Sequence, residues 1–557
     1  MYRSNTLGAG RLVVGILALA LGGGTCALGA APGEVSFSQS ASTVEAYDFV
    51  EVTVNVAAPD VKDSFTDAVV DGQFGRTGES SVTLVDGFAD SADGSVYRIR
   101  FMPAHAGDYS YSVTYRQGEF RRTFSGTFKA TDGHRRGILR VDPMYPWHFI
   151  WEGTGEHYFL NGTTAFLLMG WTDEKVIQAS IDRLRRLKVN RMRVMLAARP
   201  ALSLWSEPIV PTSQFHLCQN PWVAARPDSL SDPGFDYTRF NVAYWQKYER
   251  VLRYARQRDM IISIVLDWND SQVHPAALSD DEKRYFRYAA ARLGAFSNIT
   301  WDLGDDISSY RSLDWSHQMG TLLEQWDAYH HLATDHPVDN TQQDRAAAWF
   351  GFTSFQQWPR PLHEWMLNQR RLQAASGRVI PQVNEEYGYE DHYPIWSPSY
   401  PDGASADANR RAAWEMAMAG TYQTTGETAK RGTGAWPDTG GGWVNGRGDN
   451  SMVMLEGYAH MVDFFTSFEW WRLDPHDELV TSGDFCLAEP GKQYVVYLPM
   501  GGKVTVRLES GRYQANWFNA RDGGKSELGA AQGAEWTSPS APDSGDWALR
   551  LKRIEGQ

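Results

Sequence analysis

Strand-like and helix-like segments alternate over some three hundred residues of this chain, and that alternation limits the fold more than any other feature. Thr164–Met169, Arg191–Leu196, Ile261–Leu266, Ile299–Leu303, Trp349–Phe352, Val379–Val383 and Gly420–Gln423 read as short buried strands. A further, weaker strand fits near His336-Pro-Val338. Between them lie amphipathic helical stretches: Glu174–Lys188, Val242–Arg256, Asp280–Leu293, Trp315–His331, Pro361–Ala375 and Ala406–Ala419. In Glu174–Lys188, Val176, Ile177, Ile181, Leu184 and Leu187 share one face, while Arg183, Arg185 and Arg186 lie off it. Such alternation requires parallel strands joined by crossovers, and its length suits a closed (β/α)8 TIM barrel. An open doubly wound sheet is the other solution, but no glycine-rich nucleotide fingerprint follows the first strand.

The texture differs on either side. Residues 35–134 read as an immunoglobulin-like β-sandwich: Val50, Val52, Val54 and Val56 alternate with polar residues, as do Tyr109, Tyr111, Val113 and Tyr115. The polar segment Thr131–Gly137 links it to the barrel, expected over 138–472. From 476 to 557 strand-like runs return at Tyr494–Leu498, Lys503–Leu508 and Tyr513–Phe518, predicting a small C-terminal β-sandwich. The architecture is therefore multidomain, as 557 residues require.

Residues 1–31 have the form of a signal peptide. Arg3 and Arg11 precede the apolar run Leu12–Leu21, and small residues lead to a cleavage point near Ala30 or Ala31. A secreted or periplasmic protein is expected; Gly23-Gly24-Thr25 before Cys26 is a poor context for lipid attachment. No stretch predicts a membrane span. Removal of the leader leaves Cys218 and Cys486, free or bridged, and too few for a disulfide scaffold or a four-cysteine zinc site. A formal charge of −14 argues against nucleic-acid partners. The 22 tryptophans divide between core packing and the lining of a sugar groove.

Two of the strands end in paired acids. Trp301-Asp-Leu-Gly-Asp-Asp306 closes one, and Val383-Asn-Glu-Glu386 closes another. Carboxylates at the C-terminal ends of barrel strands suit glycosidic bond cleavage, in which one acid protonates the leaving oxygen and a second carboxylate attacks or activates water. Retaining enzymes hold the two about 5–5.5 Å apart, inverting enzymes roughly 6.5–9.5 Å. Asp306, with Asp305 beside it and Trp301 below, is the candidate acid; Glu386, next to Glu385, is the candidate nucleophile. Helix capping is the competing explanation for both pairs.

The order of sandwich, barrel and small β-domain, with these motifs, resembles secreted bacterial glycoside hydrolases of the apiosidase-like type, whose C-terminal module has been described as collagen-binding. The resemblance implies Asp306 as acid/base, from a Gly-Gly-Asp-like strand end, and Glu386 as nucleophile, from a Gly-Glu-Pro-x-Tyr-Glu-like one that here reads Glu385-Glu386-Tyr387-Gly388-Tyr389-Glu390. Asn190-Arg-Met-Arg193 resembles the second-strand signature of the wider clan, which implies that Arg193 supports the nucleophile. Trp517-Phe-Asn-Ala-Arg521 with Gly523 resembles the C-terminal module's turn. Asp305 stands in place of glycine or asparagine, and Tyr387 in place of proline.

Other candidates are less determined. Asp267, Trp268 and Asn269 end the third strand and can bind sugar hydroxyls or cap a helix. Trp171 can floor the sugar site or pack in the core; Tyr389 lies within the Glu386 motif. Trp436 and Trp443 lie in a glycine-rich loop, a sugar-facing lid or a plain surface loop; Arg447-Gly-Asp449 within it is a chance tripeptide. His330-His331 reads as a solvated helix end, with no metal partner at ligand spacing. The expectation is a cofactor-free, metal-free hydrolase of polysaccharide side chains; the alternative is a catalytically silent carbohydrate-binding or adhesion protein. Oligomeric state is not legible.

Overall fold

The computed structural model of the chain describes residues 32–198, 213–229, 231–268, 273–390, 405–427, 453–481 and 484–554. Its centre is a sheet of eight parallel strands: β1 (Asn161–Thr164), β2 (Arg191–Met195), β3 (Ile261–Val265), β4 (Ile299–Asp305), β5 (Ala333–His336), β6 (Thr353–Gln356), β7 (Gln382–Glu386) and β8 (Tyr422–Thr425). Their order is β5-β4-β3-β2-β1-β8-β7-β6. The seam between β5 and β6 is narrowed by a parallel bridge from Ala333 to Phe350. There Gly351 N–H donates to the Ala333 carbonyl at 2.8 Å, and the Thr334 hydroxyl to the Phe352 carbonyl at 2.8 Å. The sheet is thus a nearly closed TIM-like barrel.

Among the described residues seven helices follow strands: α1 (Glu174–Arg186), α2 (Val242–Arg256), α3 (Asp280–Leu293), α4 (Leu313–Trp326), α5 (Leu362–Ala375), α6 (Ala406–Met418) and α7 (Met454–Phe465). Their starts are chemically marked. Asp173 caps α1 by accepting from Lys175 N–H, and Ser279 caps α3 by accepting from Glu282 N–H. The link from β5 to β6, residues 337–352, contains no helix. Trp349 packs against α4 there, at Gly320, where even a Cβ would lie 2.2 Å from the indole.

Several boundaries differ from the sequence reading. The first strand is Asn161–Thr164, and Leu168–Gly170 is a short 3-10 turn. β6, β7 and β8 begin two to four residues later than expected. Helix α4 ends at Trp326, because Asp327 draws in the chain after it: its carboxylate accepts from the N–H groups of Tyr329 and His331. His331 is consequently not a solvated helix end. It is buried, with Nδ1 2.8 Å from Asp327.

The barrel interior is unusual for its charge. Layers of branched apolar side chains are the common filling. Here Arg191 Nη1 pairs with both oxygens of Glu385 at 2.7 and 2.8 Å, and its Nη2 donates to Ser263 at 2.8 Å, all without solvent exposure. Arg193 begins a second charged layer two residues further up β2.

Before the barrel, a four-stranded and a five-stranded sheet form the N-terminal sandwich. Its Arg100 crosses to the barrel, donating to the Arg292 carbonyl at 2.8 Å and to Glu249 at 2.9 Å. After the barrel, a six-stranded sheet and a two-stranded one make the C-terminal β-region. It is fastened to α6 by Arg410–Asp546 at 2.7 Å and by Trp414 stacked on Tyr497. Cys218 and Cys486 are both buried and free. Among the described residues, no helix is long and apolar enough to cross a membrane.

Candidate active site

Arg193 is the hub of the upper layer. It is fully buried on β2, and its Nη2 lies 2.6 Å from Asp305 Oδ1 and 3.4 Å from Asp302 Oδ2. Its Nη1 lies 3.7 Å from Glu386 Oε1. The guanidinium sits 5.0 Å from the Phe166 ring, on whose other neighbour, Trp268, that ring stacks. Three strands and the turn after β1 therefore meet at one cation.

Both acid-bearing strands bulge just before their carboxylates. Along β4–β5, Asp302 is opposite Thr334 but Asp305 is opposite His336, so β4 carries one extra residue. Along β6–β7, Phe355 is opposite Asn384 but Gln356 is opposite Glu386, an extra residue on β7. Such bulges re-aim side chains. Asp302 points inward, so strict alternation would turn 304 and 306 inward; the extra residue turns Asp305 inward instead. On β7 the same device sends two adjacent acids into the barrel, Glu385 to Arg191 and Glu386 to the Arg193 layer.

Asp306 follows at the rim. It is half-buried, in the left-handed region at φ 52°, and it opens the short turn Ile307–Ser309. A non-glycine residue held there marks local strain, which concentrates at functional sites.

Gln356 Nε2 donates to Glu386 at 2.7 Å, and the Tyr389 hydroxyl bonds to the same carboxyl. Burial nevertheless raises the Glu386 pKa, with Arg193 and these donors opposing. Burial raises Asp305 further, reinforced by the charges of Asp306, Glu386 and Asp302 against Arg193. Asp302 is pushed to about 7, also chiefly by burial. His336, at the end of β5, has Nδ1 2.8 Å from Ser354 Oγ and Nε2 3.7 Å from Asp305. Burial, with Arg193 and Arg191 nearby, depresses its pKa well below the usual value, so its imidazole is neutral. The arrangement offers facing carboxyls, a fixed cation and oriented donors in one buried cluster.

Residues 152–426 match the family model described as the apiosidase-like catalytic domain. Over that span the barrel is similar to an apiosidase-like catalytic domain. Residues 43–116 match a domain of unknown function, DUF5060. Among solved structures, a candidate glycoside hydrolase from Bacteroides vulgatus superposes with TM-score 0.77 at 19% identity, covering 92% of this chain and all of that one. A family 5 glycoside hydrolase from the same species gives TM-score 0.57 at 16% identity, covering 75% of this chain and 93% of that one. Another glycoside hydrolase gives 0.59 at 17% identity, covering 76% and 98%. At these identities the likeness is one of fold. No curated protein sequence matches the chain.

The remaining candidates fall at different places in the apiosidase-like barrel. Trp301 faces the helical layer: it is buried, and its indole donates to Asp327 at 2.9 Å, away from Arg193. Trp171 is buried edge-on against Phe215, with its carbonyl accepting from Lys247 at 2.7 Å. Glu385 lies in the lower charged layer; despite burial, Arg191 and Arg193 bring its pKa below the usual range. Asp267 ends β3, and its carbonyl accepts from Asp305 N–H at 3.0 Å. Its carboxyl lies 3.4 Å from Arg311, which also pairs with Glu282 at 2.9 Å and so ties the loops after β3 and β4 together. Asn269, Trp436, Trp443 and the Arg447-Gly-Asp449 tripeptide lie outside the described residues.

Asp302, His336 and Gln356 were not singled out from sequence. His336 closes the strand with the weakest signal, and Gln356 closes a strand read too early. Asp305, His336 and Glu386 bring potential ligand atoms within 4.8 Å of one another, the spacing of a metal triad. Arg193 already stands against both acids, and a second cation beside a guanidinium would be repelled.

Proposed function

We propose that the chain is a secreted retaining glycoside hydrolase acting on a side-chain sugar of a plant, algal or microbial polysaccharide, a pentose or furanose unit. The observation that carries the reading is the convergence of the β4 and β7 strand ends on Arg193 at the C-terminal mouth of an apiosidase-like barrel. Glu386, with its donors Gln356 and Tyr389, attacks the anomeric carbon and forms a glycosyl ester. Asp306 lies at the rim, where a leaving group departs to solvent. It gives its proton to the glycosidic oxygen as that bond breaks, then takes one from the water that hydrolyses the ester. Arg193 keeps negative charge on the β7 side. The basic, then apolar, N-terminal segment supports export.

Cleavage of a polysaccharide panel by the wild type, Asp306→Asn and Glu386→Gln tests this. The expected result is release of one sugar by the wild type and a loss on the order of 10²–10⁴-fold or more in each variant. Azide restores turnover to Asp306→Asn on an aryl glycoside. Glycan binding with no cleavage by any of the three proteins would instead make the chain a carbohydrate-binding protein.

A further inference from the structure

Asp305 adds a carboxyl beside Asp302 and Glu386, and its position leaves Arg193 outnumbered. The guanidinium faces Asp305 at 2.6 Å, Asp302 at 3.4 Å and Glu386 at 3.7 Å. Oxygens of Asp305 and Glu386 lie within 4.8 Å of each other, both residues being almost wholly buried. The surroundings supply little else. On β4 the titratable neighbours are Asp302 and Asp306, both acids. On β5 it is His336, neutral. On β7 it is Glu385, whose oxygens are held by Arg191 of β2. β6 contributes the uncharged Gln356, and the turn after β7 contributes Tyr389. At the end of β3, Asp267 turns its carboxyl to Arg311. One guanidinium thus serves three buried carboxyls in a low-dielectric interior, where two like charges this close are not both retained.

We propose that Asp305 is a positioning residue for Glu386: the two carboxyls hold a single proton between them, and Asp305 is where that proton rests when Glu386 acts as a carboxylate. The transfer is balanced within the pair, since the proton leaves Glu386 and binds Asp305 and no outside base is required. Asp305 keeps contact with Arg193 in either state, while Gln356 and Tyr389 receive the charge on Glu386. The proposal rests on the reading of Glu386 as the nucleophile.

Its test counts protons and needs no substrate. Thermal unfolding of the whole protein is followed from pH 5 to 8 for the wild type, Asp305→Asn, Glu386→Gln and the double variant. The slope of stability against pH reports the protons that the folded state holds in excess of the unfolded one. A shared proton predicts that each single variant lowers this number by one, that the double variant lowers it no further, and that Glu386→Asp, which keeps a carboxyl, leaves it unchanged. Unchanged slopes in both single variants, or separate losses that add in the double variant, would overturn the proposal. Should Asp305→Asn fail to fold, Glu386→Gln and Glu386→Asp give the same contrast alone. Loss of glycan cleavage in Glu386→Gln without loss of a proton removes the role of Asp305 and leaves the hydrolase reading standing. The expected proton count in a protein that cleaves nothing does the reverse.

Discussion

A single side chain decides whether this pocket can exist. Arg193 is the only cation within ion-pair distance of Asp302, Asp305 and Glu386 among the described residues. Breaking a buried ion pair by removing one partner costs about 3–5 kcal/mol, because the charge left behind has neither water nor counter-charge. Arg193→Met should therefore lower unfolding free energy by roughly that amount in urea titrations. Glycan cleavage should fall by more than the fraction unfolded explains. Arg193→Lys is predicted to recover part of the stability and little of the activity. A lysine is a point charge and cannot reach two strands with a planar fork. Equal activity in the two variants would show that the fork geometry is not what matters.

At the level of elements, the β4 bulge is what converts a sequence of alternating residues into a site. Gly304 makes it possible by close approach: a Cβ there would lie 2.6 Å from Ile307 Cδ1, 2.8 Å from Tyr310 Oη and 3.2 Å from the Asp267 carbonyl. Gly304→Ala should cost about 1–3 kcal/mol, as overpacking does. Because the displaced carbonyl belongs to the residue that holds Asp305 N–H, cleavage should fall further than stability. A variant with a lowered melting temperature and wild-type kcat/KM would contradict this. The same bulges mark where the sequence stops being readable. Amphipathic spacing placed α2 at Val242–Arg256 and α3 at Asp280–Leu293, the bounds observed. Glu386 was likewise legible as a strand-end acid, and Arg193, which the family resemblance implied, lies 3.7 Å from it. Period-two alternation, however, has no term for an inserted residue, so it could not tell that Asp305 rather than Asp306 turns to Arg193. Trp301, set below the acid pair as a substrate-binding candidate, instead turns its ring outward to Asp327. No helix is read between β5 and β6 from sequence and none is there; Trp349 packs in its place against Gly320 of α4.

Across the whole molecule, buried ionisable groups pull stability in opposite directions with pH. Asp267, Asp302 and Asp335 are each raised by burial from 3.8 to about 7, so the folded state holds protons there that the unfolded chain has released. Their effect is to weaken the fold as pH rises from about 4 to 7. Asp327 is the counterexample. Burial opposes its ionisation, but His331 and the Trp301 indole overcome this and hold it at about 2. Its contribution is present above the ordinary 3.8 and is lost as pH falls toward 2. The melting temperature should therefore peak at about pH 4–5, between the two windows. It should decline on both sides, and Asp335→Asn should flatten the alkaline side only. The sandwich should follow the barrel through this profile as one cooperative unit. Arg292 lies buried at their contact, 2.7 Å from Asp90 of the sandwich, while Glu249 of the barrel receives Arg100 at 2.9 Å. Separating the two bodies would strand these charges, so Arg292→Met should split a single calorimetric transition into two. One undivided transition in that variant would mean that the apolar contacts around Phe65, Phe88 and Tyr288 suffice to couple them.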